Sequence, residues 1–155
     1  MTEYGPGDGP APAALTDDAL SDLIGGSTFA ALATTKKSGH PHLSTVVFAW
    51  DKDERLARIS TTADRLKVRQ LKNDPRAALY VSSADHMSFA VAEGTAELSE
   101  VATEAGDAVS RELLEMAGGF ADPADEAAFL EQMVKDRRLI IRLRADRLYG
   151  TVLAV

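Results

Sequence analysis

The sequence predicts a mainly β protein with added helices (α+β), in which sequential antiparallel strands form a closed or partly closed barrel with the helices outside it. Two observations lead to this prediction. Seven short apolar segments are separated by turn signals, and most of them follow one another directly along the chain. Helical periodicity is confined to a few segments, two of which are adjacent late in the sequence. A chain of 155 residues is expected to form one domain.

Composition excludes several classes of function. The net charge of −7 argues against nucleic acid as the main partner. No apolar run is long enough to span a bilayer, which argues against a membrane protein. Cysteine is absent, which excludes disulfides and thiolate metal sites and favours a cytoplasmic location.

The first residues differ in character from the rest. Residues 1–14 are rich in Gly, Pro and Ala without apolar periodicity, and we expect a disordered tail there. Residues 15–155 are expected to form a single domain. Thr16 is the expected N-cap of a short helix, Asp17 to Ile24, which has acidic residues in its first turn and ends at Gly25-Gly26.

Five strands are predicted in the first two thirds of the chain. The second of them is apolar on both faces, so we expect it to be central and covered on both sides. The fifth is expected to bend or bulge at Glu93-Gly94. The predicted strands are Phe29 to Thr35, His42 to Trp50, Leu56 to Thr61, Arg76 to Ser82 and Ser88 to Leu98.

A helical hairpin and a final β-hairpin complete the predicted order. The helices are expected at Ala102 to Met116 and Ala124 to Asp136, with Pro123 near the start of the second. The last two strands are predicted at Leu139 to Leu143 and Leu148 to Val152. The charged residues 144–147 are interpreted as the turn between them.

A basic segment between the third and fourth strands holds the first candidate site. A short helix is expected after Thr62, whose hydroxyl is a plausible N-cap. Steps of 100° then place Lys67 on the inward face among the apolar residues Ala63, Leu66 and Leu71. An inward ammonium is costly unless it is paired, so one hypothesis is an anion site of a bound cofactor, formed with neighbouring hydroxyls. The alternative is a lysine that extends to the surface or pairs with a protein carboxylate.

The other motifs carry no chemistry of their own. His40-Pro41-His42 lacks a third ligand in a recognisable pattern, so we expect no metal site. Neither a dinucleotide fingerprint nor a phosphate-binding loop is present, and no serine has the context of a nucleophile elbow. We therefore predict no catalytic side chain, and expect any enzymatic chemistry to reside in a cofactor.

Several segments, taken in order, resemble a known family. They are residues 39–48, residues 59–62, Lys67-Val68-Arg69-Gln70-Leu71, residues 73–81 and residues 92–98. This ordered set is similar to the pyridoxamine 5′-phosphate oxidase-like split β-barrel superfamily, whose fold is FMN-binding-like. It most resembles the actinobacterial oxidoreductases that use the deazaflavin coenzyme F420. The resemblance covers roughly Leu15 to Val152.

The resemblance implies a homodimer with two cofactor sites at the subunit interface. It places the cofactor's phosphate and acidic tail at Ser60, Thr61, Thr62, Arg65 and Lys67. It places the ring system along Thr45, Val46 and Val47, and implies an approach of His86, Met87 and Ser88 from the partner chain. Two positions depart from the family pattern, since Gln70 stands where Asn is frequent and Met87 stands near the position of a common Trp.

The function implied is hydride transfer between F420 and a small electron-poor organic substrate. Alternatives are an FMN-dependent oxidoreductase of the same fold and a non-catalytic F420- or flavin-binding protein. The additional basic residues Arg55, Arg58 and Arg69 favour F420 over FMN, because the tail of F420 is a chain of carboxylates.

Overall fold

The described part of the chain forms a six-stranded antiparallel barrel with one extra strand and four helices. The computed structural model describes residues 5–153. The elements are β1 (Pro12–Ala14), α1 (Asp17–Gly25), β2 (Phe29–Thr35), β3 (Pro41–Asp51), β4 (Leu56–Thr62), α2 (Leu66–Asn73), β5 (Arg76–Ser82), β6 (Ser88–Leu98), α3 (Ala108–Met116), α4 (Pro123–Lys135) and β7 (Arg138–Leu153). The α+β split-barrel prediction is confirmed.

The last strand closes the barrel. The strand order is β1-β7-β4-β3-β2-β5-β6, and β6 also pairs with β7. One edge of β7 pairs along β6 from Ile141 to Val152. Its other edge is shared, since residues 138–144 pair with β4 and residues 151–153 pair with β1. A single strand therefore joins both ends of the sheet.

The interior of the barrel is filled by alternate residues of the strands and by two helices. Leu32, Ile59 and Leu79 are fully buried there. Leu20 and Ile24 of α1 and Val68 and Leu71 of α2 belong to the same apolar cluster. Burying a side chain of this size contributes about 1.5–3 kcal/mol, so both helices are held in place mainly by the core that they help to fill.

The helical hairpin lies on the outer face of β7. Leu113 and Met133 pack with Ile140 in a second, smaller apolar cluster. The first helix of the hairpin begins at Ala108 rather than at Ala102 as predicted, because the carboxylate of Asp107 accepts the backbone N–H of Ser110 and caps it there. None of the helices within residues 5–153 is long and apolar enough to cross a bilayer.

The predicted final hairpin is wrong, because β7 runs without a turn through residues 144–147. The register opposite Glu93 and Gly94 skips Asp146, which is the extra residue of a bulge. A run of charged residues, such as residues 144–147, has the same sequence pattern in a turn as on an exposed, bulged strand. The predicted irregularity at Glu93-Gly94 is confirmed.

Two further expectations need correction. Pro12–Ala14 belongs to the segment predicted to be a disordered tail, yet it forms β1, because β7 offers a free edge beyond its pairing with β4. Residues 1–4 lie outside the described part of the chain. The outer face of β3 is not covered within one chain, since Leu43 is 65% and Val47 54% exposed.

Gly94 is predicted to be necessary for the bulge. A Cβ at this position would lie 1.9 Å from the carbonyl oxygen of Arg144, which is backbone and cannot move aside freely. Gly94→Ala should lower the free energy of unfolding by about 1–3 kcal/mol in chemical denaturation. Gly9→Ala is the matched control, because nothing lies within 4 Å of the added methyl group. Equal stability of the two variants would contradict the close approach of β6 and β7.

Candidate functional site

The pairing between β3 and β4 ends part-way along both strands, and the unpaired stretch between them is here called the cleft. The two strands pair only between Phe48–Asp51 and Leu56–Ile59. Continuing that register would place Val47 opposite Ser60 and Thr45 opposite Thr62, but the described pairing does not extend there. Beyond Ile59, β4 remains paired with β7, while β3 remains paired with β2. The structure therefore brings together the two predicted groups, residues 45–47 and residues 60–62, across a gap between strands.

Only some of these side chains face the gap. Val46 and Thr61 are buried, at 7% and 6% exposed, because they point into the barrel. Thr45 and Val47 are exposed on the other face of β3, and Ser60 and Thr62 are half-buried on the corresponding face of β4. Any contribution of Val46 and Thr61 to a ligand would therefore come from their backbone groups.

Arg138 is a candidate site residue that no local sequence pattern indicated. It lies opposite Thr62 in the pairing of β4 with β7, and its Nη1 donates a hydrogen bond of 3.3 Å to Ser60 Oγ. Its buried Nε has no hydrogen-bond partner within the described residues, and the nearest carboxylate oxygen, of Asp136, is 3.8 Å away. A buried donor without an acceptor is costly, so this nitrogen is suited to bind an anion.

The helix after the cleft begins later than predicted. Arg65 is the N-cap of α2 and makes no side-chain capping bond. The prediction that Thr62 is the N-cap is wrong, because its hydroxyl donates to Asp64 Oδ1 at 2.6 Å. That hydrogen bond is the main reason why the pKa of Asp64 is lowered. The backbone continues the strand by one bond, from Ala63 N to Arg137 O, before it turns into the helix.

Lys67 is half-buried and carries an unmatched charge. The buried face of α2 consists of Val68, Gln70 and Leu71, whereas Leu66 is 48% exposed, so the predicted inward face is rotated. The pKa of Lys67 is lowered, first by loss of hydration and then by the neighbouring charge of Arg65. Within residues 5–153 no carboxylate forms an ion pair with Lys67. The hypothesis of a protein carboxylate partner therefore finds no support in the described chain.

Of the three basic residues expected to favour the acidic tail of F420, Arg55 and Arg58 already form ion pairs with carboxylates of the same chain. Arg55 Nη1 lies 2.7 Å from Asp17 Oδ2, and Arg58 lies 3.6 Å from Glu112 and 3.5 Å from Glu115. These carboxylates neutralise the two guanidinium groups, so the expectation that they would attract an acidic tail is not supported. Arg69 alone of the three forms no ion pair within the described chain.

The turn between β5 and β6 makes its contacts with β5 and with the end of β7. His86 Nδ1 is 2.7 Å from Ser82 Oγ, and Met87 O accepts the backbone N–H of Leu153. Ser88 pairs with Val152 of β7, whereas Ser60 pairs with Ile140. Within the described residues, no hydrogen bond or strand pairing joins residues 86–88 to residues 45–47 or residues 60–67.

The residues of the cleft fit a cofactor with a phosphate and a flat ring. Within the described residues, Lys67 has no carboxylate partner and Arg138 Nε has no hydrogen-bond acceptor, so both can bind an anion. Ser60 adds a hydroxyl beside Arg138. Thr45 and Val47 present an exposed, partly apolar strand face on the opposite side of the gap. Charge at one end and apolar surface at the other match an anionic ring cofactor.

Comparison with known proteins gives a family and several structural neighbours. The model of the family described as pyridoxamine 5′-phosphate oxidase matches residues 16–151. An F420 reductase is 26% identical over 83% of this chain and 94% of its own, with a TM-score of 0.58. A conserved hypothetical protein of Mycobacterium tuberculosis is 22% identical, covering 97% and 90% of the two chains, with a TM-score of 0.68. An FMN-binding, pyridoxamine 5′-phosphate oxidase-related protein of Nostoc punctiforme is 16% identical, covering 79% and 73%, with a TM-score of 0.58.

Removal of Lys67 is predicted not to destabilise the protein in the absence of a cofactor. A lysine whose pKa is lowered on folding is more stable in its charged form when unfolded, so at neutral pH its charge opposes folding. Lys67→Met should therefore melt at the same temperature as wild type or higher. The difference in melting temperature between Lys67→Met and wild type should shrink as the pH rises towards 10.5, the ordinary pKa of lysine, because the amine then becomes neutral.

Arg55→Met is the control for this prediction, because it removes a cation that has a carboxylate partner. It should melt at or slightly below the wild-type temperature. A lower melting temperature for Lys67→Met than for wild type would show that Lys67 has a stabilising partner.

Proposed function

The chain belongs to the pyridoxamine 5′-phosphate oxidase family, and on that premise we propose that it is an oxidoreductase transferring hydride between coenzyme F420 and a small electron-poor organic substrate. The observation that carries the proposal is the cleft between β3 and β4, bordered by the unmatched charge of Lys67. The 26% identity with a protein named as an F420 reductase favours F420 over FMN.

Each side of the cleft has a separate task in this proposal. Lys67, Arg138 and Ser60 hold the phosphate of the cofactor, with Thr62 and Arg65 beside them. Backbone groups of Val46 and Thr61 and the side chains of Thr45 and Val47 support the ring. When bound, F420 supplies a ring carbon that gives or accepts a hydride. The protein's own residues orient the ring and exclude water, and none of them is assigned a catalytic proton transfer.

The proposal includes a homodimer and a cytoplasmic location. Leu43 and Val47 lie on the outer face of β3, and Phe29 lies directly opposite Val47 on β2. Tyr80 of β5 lies opposite Ala31 of β2, which continues the same face. The exposed fractions of these large residues, from 44% to 65%, describe a contiguous apolar surface of the kind that subunit interfaces bury. Association through this face would let His86, Met87 and Ser88 of one subunit approach the cleft of the other.

Cofactor binding is predicted to depend on Lys67. Titration followed by absorbance should show tighter binding of F420 than of FMN. Lys67→Ala should weaken F420 binding about ten- to a hundredfold, because it removes a charge-assisted hydrogen bond worth roughly 1.5–3 kcal/mol. Lys135→Ala, which changes the net charge equally on α4, is the control. Equal F420 affinity of wild type and Lys67→Ala would make the assignment of the phosphate site wrong.

Turnover separates an enzyme from a binding protein. Wild-type protein with reduced F420 is expected to reduce members of a panel of electron-poor acceptors, which is followed by recovery of F420 absorbance. Binding of F420 without turnover of any acceptor would favour a non-catalytic binding protein, and tighter binding of FMN would favour the FMN-dependent alternative.

The apolar face is predicted to form a stable dimer that buries on the order of 2,000 Å² or more in total. Light scattering at micromolar concentration should give about twice the chain mass of 16.5 kDa. Leu43→Lys should produce monomers, because it places a charge in the interface. Phe120→Lys is the control. Phe120 is another exposed large apolar residue, at 44%, but it lies in the connection between α3 and α4, away from the proposed interface. A monomeric wild-type protein would contradict the proposal.

A further inference from the structure

A second basic groove lies beside α2, away from the cleft. Its volume is about 680 Å³, and it is lined by Thr35, Lys36, Lys37, Leu66, Arg69, Gln70, Lys72 and Asn73. Arg69, one of the basic residues expected to favour the acidic tail of F420, is among them, whereas the predicted phosphate and ring residues are not. At 100° per residue, the five residues of α2 that line the groove are centred about 130° from Lys67. The groove and the cleft therefore lie on different sides of the same helix.

The cations of the groove differ from most others on the surface. Basic residues of the sheet pair with carboxylates, as Arg55 does with Asp17, Arg76 with Asp74 and Arg144 with Glu54. Within residues 5–153 the four cations of the groove form no ion pair; they are Lys36, Lys37, Arg69 and Lys72. No carboxylate lines the groove. Four positive charges without a neutralising group favour an anion.

Gln70 adds a directed polar group to the groove. The residue is only 7% exposed, yet it lines the groove. Its Oε1 accepts the hydroxyl of Thr34 at 2.6 Å and lies 2.8 Å from His42 Nδ1. Because the oxygen faces these two partners in the barrel, the amide Nε2 is left to face the groove. Nε2 donates no hydrogen bond within the described residues, so this amide donor is open to the groove.

We propose that this groove binds a multiply charged anion, of the phosphate or carboxylate class, through Arg69, the neighbouring lysines and the amide of Gln70. A donor of fixed orientation among mobile lysines provides geometry as well as charge. Leu66, at 48% exposed, adds apolar surface for the carbon chain of such a ligand. The anion has two possible sources: the acidic part of a cofactor that extends around α2, or a separate small molecule.

Calorimetric titration with pyrophosphate at low ionic strength tests the site without any cofactor, so its outcome is independent of the proposed function. Wild type should show saturable binding. Arg69→Gln should weaken it about ten- to a hundredfold. Gln70→Glu should do the same, because the carboxylate keeps an acceptor for Thr34 and His42 but replaces the donor with a negative charge. Lys135→Gln is the charge-matched control and should change the affinity less than about twofold.

Loss of pyrophosphate binding in Lys67→Ala, with no loss in Arg69→Gln and Gln70→Glu, would place the anion in the cleft and overturn the proposal. Absence of saturable binding in wild type would overturn it as well. A second titration, in the presence of saturating F420, distinguishes the two sources. Displacement of pyrophosphate by F420 supports occupancy by the cofactor's own acidic part, and simultaneous binding supports a separate anion.

Discussion

The pairing of β7 with three other strands is the constraint on which the rest of the structure depends. One edge of this strand follows β6 for eleven residue pairs across a bulge. The other edge holds β4 at one end and β1 at the other. β7 holds β4 on one edge as far as Thr62, and β2 holds β3 on its far edge, while the pairing between β3 and β4 ends at Phe48 and Ile59. The cleft thus lies between two strands that are each fixed on their other edge.

The same geometry explains where charge remains unmatched. Arg142, on the outer face of β7, is neutralised by Glu112 of the helical hairpin. The hairpin packs on the first part of β7, where Asp136, at the end of α4, lies 3.8 Å from Arg138 Nε, which is beyond hydrogen-bonding distance. Within residues 5–153, Asp74 at the end of α2 pairs with Arg76, and no carboxylate forms an ion pair with Lys67, Arg69 or Lys72 of that helix. The groove beside α2 likewise has cations that form no ion pair within the described residues and no carboxylate in its lining.

Local patterns in the sequence predicted much of the fold. The bounds of β2, β5 and β6 agree with those predicted, because apolar alternation and flanking turn residues are local signals. The continuity of β7 was not predictable in this way, since charged residues 144–147 look the same in a turn and on an exposed bulge. The short β1 depends on a free edge that only the folded barrel provides, which no local signal records.

The candidate site was predictable in part. Lys67 and residues 60–62 follow from the sequence, although the helix starts later and its buried face is rotated. Arg138 was missed because its position opposite Thr62 depends on pairing between strands 76 residues apart. Gln70 was noted only as a departure from a family pattern; its significance comes from Thr34 and His42, which the fold brings to it.

Hydrogen–deuterium exchange of the backbone amides, with and without F420, tests the central claim most directly. Edge amides that have no partner strand exchange rapidly, and a ligand bound against them slows the exchange. F420 is expected to slow exchange in residues 43–47 and residues 60–67, on both sides of the cleft. Slower exchange confined to other parts of the chain, with these two segments unchanged, would show that the separation of β3 from β4 is not the cofactor site.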